Sequence, residues 1–385
     1  MMARRRAAIL CTAVFVITLL LLLHRYMKEE VFIGGIQSMR NNLKIDRSSA
    51  MRCSAKMNIV FLKTHKTAGS TVQNILLRYG LEKNLTFALP AAGHRFYWPD
   101  HFKRSSVLQE QQKRSKTVYN ILCHHTRFHY ANMRDLMPDD SVYITVVRSP
   151  AAMFRSAFEY FHLKKKYNIF QPNAMDVFLS RPSYYVGPYG KRPFFRNPIF
   201  FDLGYSPDQL VSEKSIQEAI EYIDGIFSVV LVSDHFEESM VLLRHTLCWD
   251  LNDVTYFKLN AMKTSSTKYV STETEEKIKQ WNKADSMLFD YFNKSLWQKL
   301  SKLPFDWIRE VKLIKQKNRL LHVTCTKTGK SISNIKTKDL KLLPPPGLSV
   351  DGNVLKELEQ RNKACVYMAK PEIPFTQELK RKYKN

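Results

Sequence analysis

No G-x-x-x-x-G-K-[ST] stretch occurs anywhere in the 385 residues, which excludes the phosphate loop of nucleoside-triphosphate enzymes in its usual spelling. Nor does an acidic pair stand near the one loop that approaches that spelling, so the magnesium of a kinase or NTPase has no evident ligands there. Acidic residues are few overall, 35 against 60 Lys and Arg, giving a formal charge of +25. This imbalance calls for an anionic partner: a nucleic acid, a membrane surface, or a phosphorylated or sulfated small molecule. No internal repeat is present. Cysteine is sparse, at six. Cys11 falls in an N-terminal apolar run, and Cys53, Cys123, Cys248, Cys325 and Cys365 remain, an odd number. Cys123 lies in an apolar stretch and is the expected buried thiol; by elimination Cys325 pairs with Cys365 and Cys53 with Cys248.

What the chain does have is hydrophobic substance, 44% of its residues, enough for one large α/β domain or two small ones. Arg4, Arg5 and Arg6 precede Ala7–Leu23, 17 residues without charge or proline, closed by His24 and Arg25. The run ends in leucines and basic residues, not in a small-residue cleavage site, so a retained signal anchor is expected. At 1.5 Å per residue it covers about 26 Å, adequate for a thin secretory-pathway bilayer. The arginine cluster favours a cytoplasmic N-terminus. The expected division is 1–6 cytoplasmic tail, 7–23 transmembrane helix, 24–56 stem and 57–385 luminal domain. Two sequons, at Asn84 and Asn293, agree with a luminal body.

From Asn58 onwards strands and helices alternate. Asn58–Leu62 is a continuous apolar run, as in a strand buried on both faces. Val72, Ile75, Leu76 and Tyr79 then mark an amphipathic helix expected to stop near Gly80. Tyr119–Cys123, Val142–Val147 and Phe227–Val232 read as further strands. Helices are expected over 151–162, 235–249, 272–282 and 284–300, followed by a basic helix beyond 305 and a short one near 354–368. Residues 164–208, rich in Pro, Gly and aromatics, read as irregular. The alternation predicts a parallel α/β sheet flanked by helices, with ligands at the C-terminal ends of its strands.

The stretch Ile59–Thr71, IVFLKTHKTAGST, joins the first strand to the first helix. Such a junction binds anions, because unpaired N–H groups and the helix dipole converge on it. Gly69 permits close backbone approach, and Ser70 and Thr71 bring hydroxyls. The lysine, Lys66, comes three residues before the glycine, which suits a phosphate-like ligand handled without metal.

Lys66-Thr67-Ala68-Gly69-Ser70-Thr71 resembles the 5′-phosphosulfate loop of sulfotransferases that use 3′-phosphoadenosine 5′-phosphosulfate (PAPS). Arg148 at a strand end, with Ser156 eight residues on, resembles their 3′-phosphate site. The wider text NIVFLKTHKTAGSTVQNIL, CHHTRFHY and FFDLGY resembles the Golgi galactose-3-O-sulfotransferase family, over roughly Asn58–Cys365.

The resemblance implies sulfuryl transfer from PAPS to the 3-hydroxyl of a β-galactose on a glycolipid or glycoprotein, without metal, by a Golgi type II membrane protein. In it Lys66 stabilises the leaving phosphate. His125, placed like the base of the related uronyl 2-O-sulfotransferases, and His65, beside Lys66, compete as proton acceptor. Lys63 is a further contact to acceptor or sulfonate. His124 and His129 are expected to be structural.

Sugars pack on aromatic rings and are read by a few polar groups, so Tyr184, Tyr185, Tyr189, Phe200, Phe201 and Asp202 are candidate acceptor contacts. Tyr256–Asn260 is a candidate to close over the nucleotide. The alternatives are a sulfotransferase for another glycan hydroxyl, of the uronyl 2-O type, and a non-enzymatic basic glycan-binding membrane protein. A membrane anchor and the absence of an RNA-binding motif argue against nucleic acid.

Overall fold

Five short parallel strands carry the site. The computed structural model describes residues 53–108, 118–186, 195–259, 261–262, 270–327, 335, 337–340 and 350–384. The expected anchor, most of the stem and Tyr189 lie outside them. Among the described residues no helix is long and apolar enough to cross a membrane. Residues Ala55–Asn385 form one compact unit.

In chain order this unit runs β1 (Ile59–Leu62), α1 (Gly69–Glu82), β2 (Phe87–Ala88), β3 (Ile121–Leu122), β4 (Val142–Val147) and α2 (Pro150–Tyr160). It continues with α3 (Pro198–Asp202), α4 (Glu213–Ile226), β5 (Val229–Val232), α5 (Phe236–Leu247), α6 (Thr272–Trp281), α7 (Lys283–Ser301), α8 (Trp307–Cys325), α9 (Lys363–Ala369) and α10 (Glu372–Lys384). The strand order is β2-β3-β1-β4-β5, with every neighbouring pair parallel. All four residues of β1 are completely buried, as a central strand covered on both faces requires. The chain leaves β1 for β2 and β3 on one side, then crosses to β4 and β5 on the other. The order therefore reverses between β1 and β4, where an open α/β sheet presents its ligand crevice.

Most of the expected elements form, with three differences. The first helix does not stop at Gly80. It runs through to Glu82, because Gly80 serves close packing instead: a Cβ there would lie 2.4 Å from Cζ of Phe87 and 2.7 Å from Cδ1 of Ile121. Second, the region read as irregular contains the short helices Leu163–Lys166, Ala174–Ser180 and Pro182–Val186 as well as α3. Third, α10 was not expected at all. With α9 it packs against α1, where Asn74 Nδ2 donates to the carbonyls of Tyr367 (2.9 Å) and Lys370 (3.1 Å). Cys325 and Cys365 form the expected disulfide between α8 and α9. Cys123 is the buried free thiol, and Cys53 and Cys248 are both disulfide-bonded.

Candidate active site

The β1–α1 loop bends through two left-handed residues, Lys66 at φ 60° and Ala68 at φ 65°. Ala68 occupies the N-cap position of α1 and offers no side-chain cap. The helix therefore opens without the serine, threonine or aspartate that ordinarily satisfies its first amides, a site ready for an exogenous anion. Gly69 is required by crowding: a Cβ there would stand 2.9 Å from Cγ of Lys63 and 3.3 Å from the carbonyl of Thr64.

All residues from Lys63 to Thr71 line a single cavity of about 440 Å³, together with Arg148, Ser156 and Lys258. Within the loop the hydroxyls divide their labour. Thr64 Oγ1 donates to the carbonyl of Val146 (2.6 Å) and lies 2.7 Å from Thr67 Oγ1, which staples the loop to β4. Thr71 Oγ1 accepts from the amide of Leu259 (3.2 Å), joining α1 to the Tyr256–Leu259 segment, which also contributes to the cavity wall.

Two cations meet here. Arg148, at the end of β4, donates through Nη1 to the Lys66 carbonyl (2.9 Å). The Lys66 ammonium sits 3.6 Å from the centroid of the Tyr160 ring at the end of α2. Burial and the neighbouring Arg148 push the Lys66 pKa down to about 7. Burial also lowers that of Arg148. Both effects state the same physics: the cavity holds positive charge that it does not itself neutralise, as a site for an anion should. Arg148 and Ser156 also border a second, adjoining cavity of about 1020 Å³ along α2 and α6.

Beside the cations lie two stacked histidines, His65 and His125, with ring centroids 4.1 Å apart and planes 17° off parallel. His125 Nδ1 donates to the Lys63 carbonyl (2.9 Å), which leaves Nε2 as an acceptor. Burial, followed by His65, Lys63 and Arg95, drives the His125 pKa well below its ordinary value, so this ring is neutral. His65 is held differently. Its Nδ1 donates to the Asp202 carboxylate (2.9 Å), and its backbone amide donates to the same oxygen (2.8 Å).

Asp202, only 1% exposed, also accepts from Trp98 Nε1 (3.0 Å). Its position is enforced from behind. The buried Asp285 of α7 accepts from the amides of Ile199 and Phe200 (3.0 Å each), anchoring the start of α3, whose last residue is Asp202. Burial raises the Asp285 pKa to about 7. Arg127 donates to the Phe201 and Gly204 carbonyls (3.2 Å each) and stacks on the Phe201 ring at 4.2 Å. Gly204 turns the chain at φ 97°, where a Cβ would lie 2.6 Å from the Phe128 carbonyl. The FFDLGY and CHHTRFHY stretches thus interlock to aim one carboxylate at His65.

The candidates from the sequence fall into two groups. Lys63, His65, Lys66–Thr71, His125, Arg148 and Ser156 all border the one cavity. Tyr185, Phe201 and Asp202 do not. Tyr185 stacks on Phe178 at 5.3 Å in a separate apolar cluster, Tyr184 is solvent-exposed, and Phe200 is fully buried. The FFD residues were read as a sugar-binding surface because rings beside a carboxylate have that composition, yet here they form the support for His65. Lys63 also differs from expectation. It is 1% exposed, and its ammonium is engaged by Gln73 Oε1 (2.7 Å) and Glu372 Oε2 (2.5 Å). His124 is buried, 2.8 Å from Thr376 Oγ1, and His129 caps the helix Tyr130–Arg134. Tyr160, His94, Arg95 and Glu372, none of them singled out from the sequence, complete the wall.

An α/β enzyme with an uncapped, cation-lined loop and a carboxylate-held histidine at its switch point is the class this geometry defines. Comparison with known proteins specifies it further. The galactose-3-O-sulfotransferase family matches residues 1–383, and the chain belongs to that family. It is 38% identical over 340 residues to the galactosylceramide sulfotransferase of Homo sapiens, covering 86% of this chain and 80% of the relative. It is 34% identical over 337 residues to galactose-3-O-sulfotransferase 2 of Sus scrofa, covering 84% and 83%. Galactose-3-O-sulfotransferase 3 of Mus musculus is 34% identical over 343 residues, covering 85% and 78%. The protein is a sulfotransferase.

Proposed function

We propose that the protein transfers the sulfuryl group of PAPS to the 3-hydroxyl of a β-galactose residue on a glycolipid or glycoprotein glycan. The observation that carries this reading is the meeting, in one cavity, of the uncapped β1–α1 loop, the Arg148–Ser156 pair and the stacked histidines. The loop and the first amides of α1 hold the phosphosulfate, and Arg148 with Ser156 takes the 3′-phosphate. The acceptor oxygen attacks sulfur in line, the bond from sulfur to the bridging phosphate oxygen breaks, and Lys66 stabilises the charge that develops on that oxygen.

His65 takes the acceptor proton on Nε2 in this mechanism, and Asp202 stabilises the imidazolium that results. His125 came first in the sequence reading. Its surroundings are cationic, however, and oppose a second positive charge, whereas His65 rests on a carboxylate. His125 then stays neutral and orients the hydroxyl. The only carboxylate among the residues lining the cavity, Glu372, is engaged by Lys63, so Lys66 and Arg148 supply the charge stabilisation and transfer proceeds without a divalent metal.

The protein incubated with labelled PAPS, galactosylceramide and N-acetyllactosamine in the presence of EDTA is expected to sulfate at least one of the two at O3. Failure with both, or a strict need for added metal, would falsify the proposal.

The basic cluster and apolar run at the N-terminus support a Golgi type II anchor with a luminal body. In that compartment the two sequons should differ. Asn84 is exposed in the turn after α1, whereas Asn293 is half-buried within α7, its Oδ1 shielded from solvent. A single glycan is expected, removed by N-glycosidase and lost in Asn84→Gln. A second mobility shift that persists in that variant would contradict this assignment.

A further inference from the structure

The residues lining the cavity include several cations but only one acid, Glu372, contributed by α10 some 309 residues after Lys63. A carboxylate is the wrong charge for a phosphosulfate and a 3′-phosphate, and it would repel both. Glu372 therefore contributes something other than a contact to the nucleotide. Burial works to raise the Glu372 carboxyl, but Lys63, His124 and His94 outweigh it and hold it below the ordinary carboxylate range, so it is ionised. His125 in turn feels Lys63 and Arg95. Glu372, His94, Arg95 and His125 line the same cavity as Lys66, Arg148 and Ser156.

The ionised group is only half satisfied. Oε2 accepts from the Lys63 ammonium at 2.5 Å, whereas Oε1 is buried and has no hydrogen-bond partner among the described residues. Buried acceptors are almost always paired, and a charged one left bare is costly. A purely structural ion pair with Lys63 does not require the residue to border the cavity or leave an oxygen unsatisfied. The side chain is 15% exposed, and a turn of the carboxyl that brings Oε1 into the cavity, where a ligand hydroxyl donates to it, accounts for both features.

We infer that Glu372 reads the acceptor, accepting a hydrogen bond from a non-reacting hydroxyl of the galactose. The inference rests on the sulfotransferase reading and deepens it: the C-terminal helix carries the recognition of a neutral sugar, and α1 and β4 carry the recognition of the anionic donor. Lys63 holds the carboxylate in place and keeps it ionised.

The test uses the full chain and a set of methyl β-galactosides lacking the 2-, 4- or 6-hydroxyl. Against the parent galactoside, one of the three is expected to lower the wild-type kcat/KM by about tenfold to a hundredfold, the loss of a hydrogen bond to a charged group. In Glu372→Gln the KM for the parent galactoside is expected to rise about tenfold, the KM for PAPS to stay unchanged, and the penalty for that same missing hydroxyl to shrink below threefold.

Equal discrimination in wild type and variant, with kcat lowered uniformly for every acceptor, would overturn the assignment and leave only a structural role through Lys63. Transfer by wild type to the parent galactoside is scored separately, so failure of the sulfotransferase reading is not mistaken for failure here. If Glu372→Gln does not accumulate as folded protein, Glu372→Asp carries the same comparison, and a wild type indifferent to all three hydroxyls overturns the inference without any variant.

Discussion

Lys66→Ala is expected to lower kcat by about a thousandfold, some 4 kcal/mol of transition-state stabilisation. The KM for the galactoside should barely change, because the lost charge acts on the leaving phosphate and not on the sugar. Stability should not suffer. Alanine inherits the same left-handed backbone at φ 60°, and the variant removes a buried cation already repelled by Arg148. The sign follows from linkage: the folded pKa is about 7 against an ordinary 10.5, so the unfolded chain binds more protons between those limits. In this window the lysine makes the wild type more stable as pH rises, and the variant should lack that slope.

The same group predicts the direction of donor binding. An anionic nucleotide beside Lys66 raises its pKa, so binding near pH 8 takes up a proton and weakens as pH climbs. Calorimetry of 3′-phosphoadenosine 5′-phosphate in buffers of different ionisation enthalpy measures the uptake. A variant retaining more than a tenth of wild-type kcat would remove Lys66 from the chemistry.

The second large loss belongs to His65. His65→Ala is expected to cut kcat by about a hundredfold to ten-thousandfold. Asp202→Asn should follow it down by about a hundredfold, since an amide no longer stabilises the imidazolium or holds the ring in the same tautomer. His125→Ala should cost about tenfold, chiefly in the KM of the acceptor, because its neutral ring orients a hydroxyl without taking its proton. The reverse ranking, with His125→Ala inactive and His65→Ala near wild type, would transfer the base to His125. Asp285→Asn offers an independent check. It retains the side-chain shape at the start of α3 but weakens the grip on the two amides, so any loss must reach the reaction through the placement of Asp202.

The parallel sheet was legible because a strand buried on both faces has to be spelled in continuous apolar residues. Val142–Val147 is read from the sequence to the residue. That Lys66, Gly69 and Arg148 border one cavity was legible for a related reason: they sit at strand–helix junctions, where position along the chain dictates position in space. Gly80 misled because a glycine that stops a helix and one that admits a neighbouring ring look alike in the sequence. Only the approach of Phe87 and Ile121 separates them.

Asp202 misled in the opposite way. Its composition suited a sugar-binding surface, but its role is set by Asp285, His65 and Trp98, which come from three distant parts of the chain. Glu372 carried no local signal at all, as one acid opening a short basic helix. Residues whose partners are remote in sequence are illegible from spacing alone.

The ion pair between Lys63 and Glu372 also sets a timetable. Lys63 is made early, at the end of the first strand, and has no carboxylate partner until the ribosome has added 309 more residues. During that interval Gln73 Oε1 can engage the ammonium at the root of the anion loop but cannot neutralise its charge, a state that favours hydration of the loop over its closure. The sheet alone does not finish the cavity: its wall is complete only with α10 in place, so the last residues of the chain help to make the ligand site.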